Sequence, residues 1–160
     1  MNGSQPDAAR LELEAALREC GVHAEVLQQA LGLLPNAFEP GDAPALDAAT
    51  QRILDQLAYR FMKLQHTLGG RVLPGLLAAA LEPLPDDAPF AQKLQRLERL
   101  GVVPSVDAWK TLREVRNTLA HDDPDQPALQ AAAWTRLRRG AEQLLQVWQS
   151  AASFAQRQLH

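Results

Sequence analysis

Between Leu46 and Leu68 the apolar residues Leu46, Ile53, Leu57, Phe61, Leu64 and Leu68 recur at intervals of three, four or seven. That is the period of one face of an α-helix, and no strand can hold such a set on one side. The rest of the chain agrees. Leu, Ala, Gln, Glu and Arg dominate, aromatic residues make up only 5%, and β-branched residues are scarce. Strong helix formers throughout, with few strand formers, predict an all-α fold. At 160 residues with 46% hydrophobic content, the chain can bury a substantial core within one domain.

Further segments extend the helical pattern. "PDAARLELEAALRECG" predicts a first helix, with Asp7 as its cap and Gly21 as its stop, and "HAEVLQQALGLLP" a second, closed by Pro35. "NAFEPGDAP" has the composition of a loop. After the long helix of residues 45–68, the Gly69–Gly70 pair predicts a break, and "RVLPGLLAAALEPL" resumes as an apolar helix with Pro74 near its start. "AQKLQRLERLG" ends at Gly101. A cap near Ser105 opens a helix with Val106, Trp109, Leu112, Val115 and Leu119 on one face, and "PDQPALQAAAWTRLRRGAEQLLQVWQSAASFAQRQL" closes the chain. The expectation is an up-and-down bundle of about five to six helices with short connections.

Several function classes are disfavoured. A single cysteine, Cys20, precludes an internal disulfide and a cysteine zinc cluster, and points to a reducing, cytoplasmic setting. No apolar run approaches membrane-spanning length, and the opening residues lack the apolar core of a signal peptide. The formal net charge of −3 argues against a nucleic-acid coat protein. His23, His66 and His160 have no metal-building spacing, so neither a metal nor another cofactor is expected. Trp109, Trp134 and Trp148 fall on apolar stripes and read as core or dimer contacts.

One stretch asks for chemistry. "LREVRNTLAHDDPD" places Arg116, Asn117 and His121 at the end of an amphipathic helix. Metal-free RNA cleavage needs a base for the ribose 2′-OH, an acid for the leaving 5′-oxygen, and a cation for the phosphorane-like transition state. Histidine titrates near neutrality, arginine offers a planar fork to phosphate, and asparagine can orient either partner. On an ideal helix Asn117 and His121 share a face, whereas Arg116 and His121 point well over 90° apart, an angle that follows from 3.6 residues per turn. Either the helix loosens toward Pro124 or a second copy completes the site across a two-fold axis. Arg113 and the "WTRLRRG" arginines, Arg136, Arg138 and Arg139, are candidate RNA-backbone contacts; the alternative is a solvated face with one arginine stem laid on Trp134. Tyr59, Arg60 and Lys63 offer a secondary anion site, interleaved with core residues.

The motif "REVRNTLAH" resembles the R-x4-H signature of HEPN domains, small helical bundles of prokaryotic toxin–antitoxin and defence systems. "YRFMKLQHTLG", "LERLGVVPSVDAW" and the tryptophan before the motif are similar to the HepT-like branch, so the likeness spans roughly residues 45–150. The division that follows is an N-terminal helical extension over 1–40 and a HEPN-like helical bundle over 41–160. The resemblance implies a homodimer with two motifs facing a shared cleft. It also implies metal-independent endoribonuclease activity leaving 2′,3′-cyclic phosphate ends, and a minimal nucleotidyltransferase as cognate antitoxin. Arg116, Asn117 and His121 take the family's catalytic positions. Some such antitoxins modify a tyrosine two residues after the histidine; here that residue is Asp123. The other reading is a HEPN relative that has kept the bundle, lost the cutting, and partners or regulates a nucleotidyltransferase.

Overall fold

A computed structural model describes residues 4–42, 45–80, 84–118 and 126–159, with residues 4–6, 117 and 118 described by backbone alone. Among them every regular element is helical and no strand occurs. Six α-helices build an all-α bundle: α1 (Ser4–Gly32), α2 (Ala48–Thr67), α3 (Leu73–Ala79), α4 (Phe90–Arg99), α5 (Val106–Thr118) and α6 (Pro127–Leu159). None of the described helices is long and apolar enough to cross a membrane.

The first helix departs from expectation at both ends of its first half. Asp7 lies inside the opening turn, where its charge still complements the helix dipole, and α1 runs unbroken through Gly21. The reason is the continuity of its buried face. Leu13, Ala16, Cys20, Ala24, Leu27 and Leu31 carry one stripe across the glycine. Their burial outweighs the roughly 1 kcal/mol that glycine costs inside a helix. Gly21 packs beside Trp148 of α6, with room for a methyl group 3.9 Å from the ring. All of this apolar face belongs to the single core shared by the six helices.

The loop after α1 is anchored to α6. The Phe38 ring meets Trp134 edge-on at 5.4 Å, and the Phe38 amide donates to Thr135 Oγ1 at 2.9 Å. Asp47 then caps α2 by accepting from the Thr50 amide at 2.7 Å. Leu57, Phe61, Leu64 and Leu68 are fully buried, as their spacing predicts, while Leu46 and Ile53 pack at the core edge. α1 and α2 run in opposite directions. His23 meets Arg60, Glu19 meets Arg71 and Leu13 meets Gly75, so contact positions fall along α1 as they rise beyond it.

The Gly69–Gly70 pair does not end the helical path. Leu68–Val72 form a single π-helical turn that hands α2 directly to α3. A methyl group built on Gly69 would lie 2.6 Å from Trp109 Cζ2, far inside van der Waals contact, so the glycine makes a recess for the indole of α5. Insertion of an extra residue in the helical ladder is a common accommodation to such packing.

Two features set the start of α5. Gly101 adopts a φ of 81°, and the amides of Gly101 and Val102 turn back to Glu98 and Leu97 carbonyls at 3.1 and 2.9 Å, closing α4. Ser105 Oγ then accepts from the Ala108 amide at 2.9 Å, while Glu98 accepts from the Val106 amide at 3.0 Å. Two of the amides left open at the helix start are thereby satisfied.

Candidate functional site

α5 presents its motif end by burying the opposite side. Trp109, Leu112 and Val115 are 3%, 0% and 2% exposed, and they seat the helix on α2 and α6. That leaves Arg113 and Arg116, one turn apart on a single face, exposed to solvent, with Arg116 in the last turn. The Asn117 backbone continues the helix. Its side chain lies outside the described part of the structure, as do Leu119, His121 and Asp123 in full, so the Asn117–His121 geometry expected from the sequence lies outside it as well.

The α6 arginines divide. Arg136 and Arg139, again one turn apart, are exposed. Val115 lies against Gly140, where an added methyl group would stand only 3.1 Å from Val115 Cγ1. The close approach brings the backbone segments carrying Arg116 and Arg139 side by side. Arg138 goes the other way. It is 9% exposed, paired with Glu142, and reaches the Leu31 carbonyl of α1 at 3.5 Å. Of the four candidate backbone contacts, Arg113, Arg136 and Arg139 therefore face solvent and Arg138 is an inward tie between helices. Trp134 packs with Phe38.

Tyr59, Arg60 and Lys63 do come together. The Arg60 guanidinium and the Lys63 ammonium lie 5.5 and 5.7 Å from the centre of the half-exposed Tyr59 ring. Arg60 is also committed inward, its Nη1 2.9 Å from His23 Nδ1. A guanidinium can only donate, so His23 Nδ1 must accept and the imidazole is neutral. Burial, and then the Arg60 charge, hold the His23 pKa below its ordinary value of 6.5, partly opposed by Glu19. The Arg60–His23 contact is thus a structural link between α1 and α2. His66 is exposed on α2.

Cys20 is fully buried, and burial, with Glu19 in second place, pushes its thiol up to about 12. Such a thiol is a packing group rather than a nucleophile. Among the described residues, no three or more His, Cys, Asp or Glu side chains are grouped to hold a metal ion.

Sequence reasoning passed over one residue behind the motif helix. Gln65 is 3% exposed, and among the described residues neither end of its amide has a hydrogen-bond partner; the buried Trp109 indole N–H likewise has none there. Gln65 stands one turn before Gly69, whose recess holds the Trp109 ring. Its position four residues after Phe61, within the run of core positions on α2, was the available signal.

A groove of about 480 Å³ opens between α1 and the last turns of α6, lined by Glu14, Leu17, Arg18, Trp148, Gln156 and Leu159. Trp148 follows Arg139 by nine residues on α6, roughly 13 Å at 1.5 Å per residue, so the groove stands apart from the α5 arginines. In comparisons with known proteins, no family model matches the chain, and no curated protein or solved structure is significantly similar to it.

Proposed function

We propose that the chain is a metal-independent endoribonuclease, the toxin of a toxin–antitoxin pair, acting in the cytoplasm as a homodimer and restrained by a minimal nucleotidyltransferase. The observation that carries the reading is the R-x4-H motif itself, Arg116 to His121, whose arginine stands in the last turn of α5 with Arg113 on the same exposed face. Exposed Arg136 and Arg139 on the adjoining helix add positive charge suited to an RNA backbone.

In this reading the 2′-oxygen attacks the adjacent phosphorus as the bond to the 5′-oxygen breaks, and His121 acts as general base toward the 2′-OH or as general acid toward the leaving 5′-oxygen, water carrying the other proton. Arg116 binds the oxygens on which negative charge accumulates. Asn117 holds the phosphate or the imidazole in place. The products are a 2′,3′-cyclic phosphate and a 5′-hydroxyl.

The test is cleavage of mixed tRNA and mRNA in EDTA by the parent chain and by Arg116→Ala and His121→Ala. Cleavage with cyclic-phosphate ends by the parent, lost in both variants, is the expected result. A well-folded parent that leaves RNA intact refutes it. That outcome would favour the second reading, a catalytically silent module that binds or regulates a nucleotidyltransferase. The run of acids after His121 (Asp122, Asp123 and Asp125) favours that alternative, since carboxylates there repel an incoming phosphate.

A further inference from the structure

Three large apolar side chains left on the surface are evenly spaced along α1. Leu11, Val22 and Leu33, the last in the turn that closes the helix, are 65%, 56% and 69% exposed. Eleven residues complete three helical turns to within about 20°, so the three lie almost on one line. Ala15, Arg18, Val26 and Gln29 fill the same line at steps of four and three, Ala15 and Val26 half-buried and Arg18 and Gln29 exposed. The opposite side of α1 carries the core stripe from Leu13 to Leu31. Among the described residues, nothing therefore covers Leu11, Val22 and Leu33 on this outer line.

Leu11 and Leu33 stand at equal distances on either side of Val22, as do Ala15 and Gln29, and Arg18 and Val26. A two-fold axis through Val22 would place a second α1 antiparallel on the first. Val22 then meets its own copy, and Leu11 meets the partner's Leu33 at both ends. The Arg18 stem lies on the partner's Val26, and its guanidinium reaches the partner's Glu25, once on each side of the axis. Glu25 also comes opposite the partner's Glu19, but Glu19 is already held by Arg71 at 2.8 Å. The contact runs about 33 Å at 1.5 Å per residue and covers on the order of 1,200 Å² in total, the lower bound of stable protein interfaces.

We propose that the outer face of α1 is a self-complementary docking surface for a second copy of this chain, packed antiparallel with Val22 on the two-fold axis. Isologous contacts need this arrangement of self-matching positions, and the Arg18–Glu25 pair matches charge as well as shape. Neither α5 nor Arg116 takes part in the contact, so the proposal stands without the ribonuclease reading.

Cross-linking reads the contact directly. Val22→Cys in the full chain, treated with a short bis-maleimide, is expected to give a covalent dimer. The parent gives none, because Cys20 is fully buried. Leu11→Cys alone should not link, whereas a mixture of Leu11→Cys and Leu33→Cys chains should. Arg18→Glu should weaken self-association in sedimentation about tenfold, two exposed pairs being lost at once, and Arg18→Glu with Glu25→Arg should restore it. Val22→Glu should reduce the mass without changing the helical circular dichroism, since the position is exposed. No link at position 22, an unchanged mass for Val22→Glu, or no rescue by the exchanged charges would overturn the proposal. A dimer formed only through α5 gives the first two of those results.

Discussion

Replacing either glycine of the Gly69–Gly70 pair with alanine should have opposite consequences. In both cases the added methyl restricts the unfolded chain and favours helix, a gain of about 0.5–1 kcal/mol where the folded site has room. Gly70 has that room, with nothing within 4 Å of a built Cβ. Gly69 does not. Its Cβ would lie 2.6 Å from Trp109 Cζ2 and 3.2 Å from Cη2, so the indole must retreat by about 1 Å to reach ordinary contact. The ring is only 3% exposed and wedged between α2 and α5, and forcing such a displacement costs about 1–3 kcal/mol. The net expectation is a loss of up to about 2.5 kcal/mol for Gly69→Ala and a gain of about 0.5–1 kcal/mol for Gly70→Ala. For a chain of this size each kcal/mol moves the melting temperature by roughly 2–4 °C. Urea and thermal melts of the two variants, with tryptophan fluorescence to follow the indole, would decide the matter. Equal shifts in the same direction would refute the reading of Gly69 as the Trp109 recess. Because Trp109 seats the helix that carries Arg116, the same substitution should also reduce any activity that depends on the position of that arginine.

Three further outcomes follow from buried groups. Arg138→Ala should destabilise the protein by about 1–3 kcal/mol, since it removes an inward tie, whereas Arg136→Ala and Arg139→Ala should stay within about 0.5 kcal/mol of the parent; equal effects in urea titrations would contradict this division. His23, with its pKa held below 6.5, binds fewer protons folded than unfolded. Stability should therefore be complete above about pH 6.5 and decline as the pH falls below it, and His23→Gln should flatten that part of the profile; an unchanged slope would count against the neutral imidazole. The Cys20 thiol, pushed up to about 12 and buried, should resist a thiol reagent at pH 8 until the protein is unfolded in urea; rapid labelling of the native protein would contradict it.

What could be read from the sequence, and what could not, follows from how local each property is. The α5 start was legible because capping and the turn after α4 depend on Ser105 and Gly101 themselves and on near neighbours in the chain. The Leu57, Phe61 and Leu64 stripe was legible because helical period is a property of one segment. Gly21 and Gly69 misled because whether a glycine ends a helix depends on tertiary packing: a buried stripe carries α1 across Gly21, and the Trp109 indole from a distant part of the chain fills the space at Gly69. Arg138 was misplaced because α6 is packed by α1, α2 and α5 together, so its buried arc widens from Leu137 and Ala141 to include the arginine between Leu137 and Arg139. Charge spacing along a helix cannot reveal that width.

The same limit bears on the candidate site. Residue types name the chemistry available to Arg116, Asn117 and His121, and α5 settles only that the arginine faces water. Productive catalysis requires the arginine and the histidine to converge on one phosphate, and an ideal helix turns them well over 90° apart. If two chains meet along α1, the two-fold axis lies at Val22, and the α5 motif ends converge only if they fall near that axis or a second one. Loss of RNA cleavage on Val22→Glu, with folding intact, would therefore mean that the α1 contact organises the motif. Retained cleavage by a Val22→Glu monomer would mean that one chain suffices, with the helix departing from ideal geometry before His121.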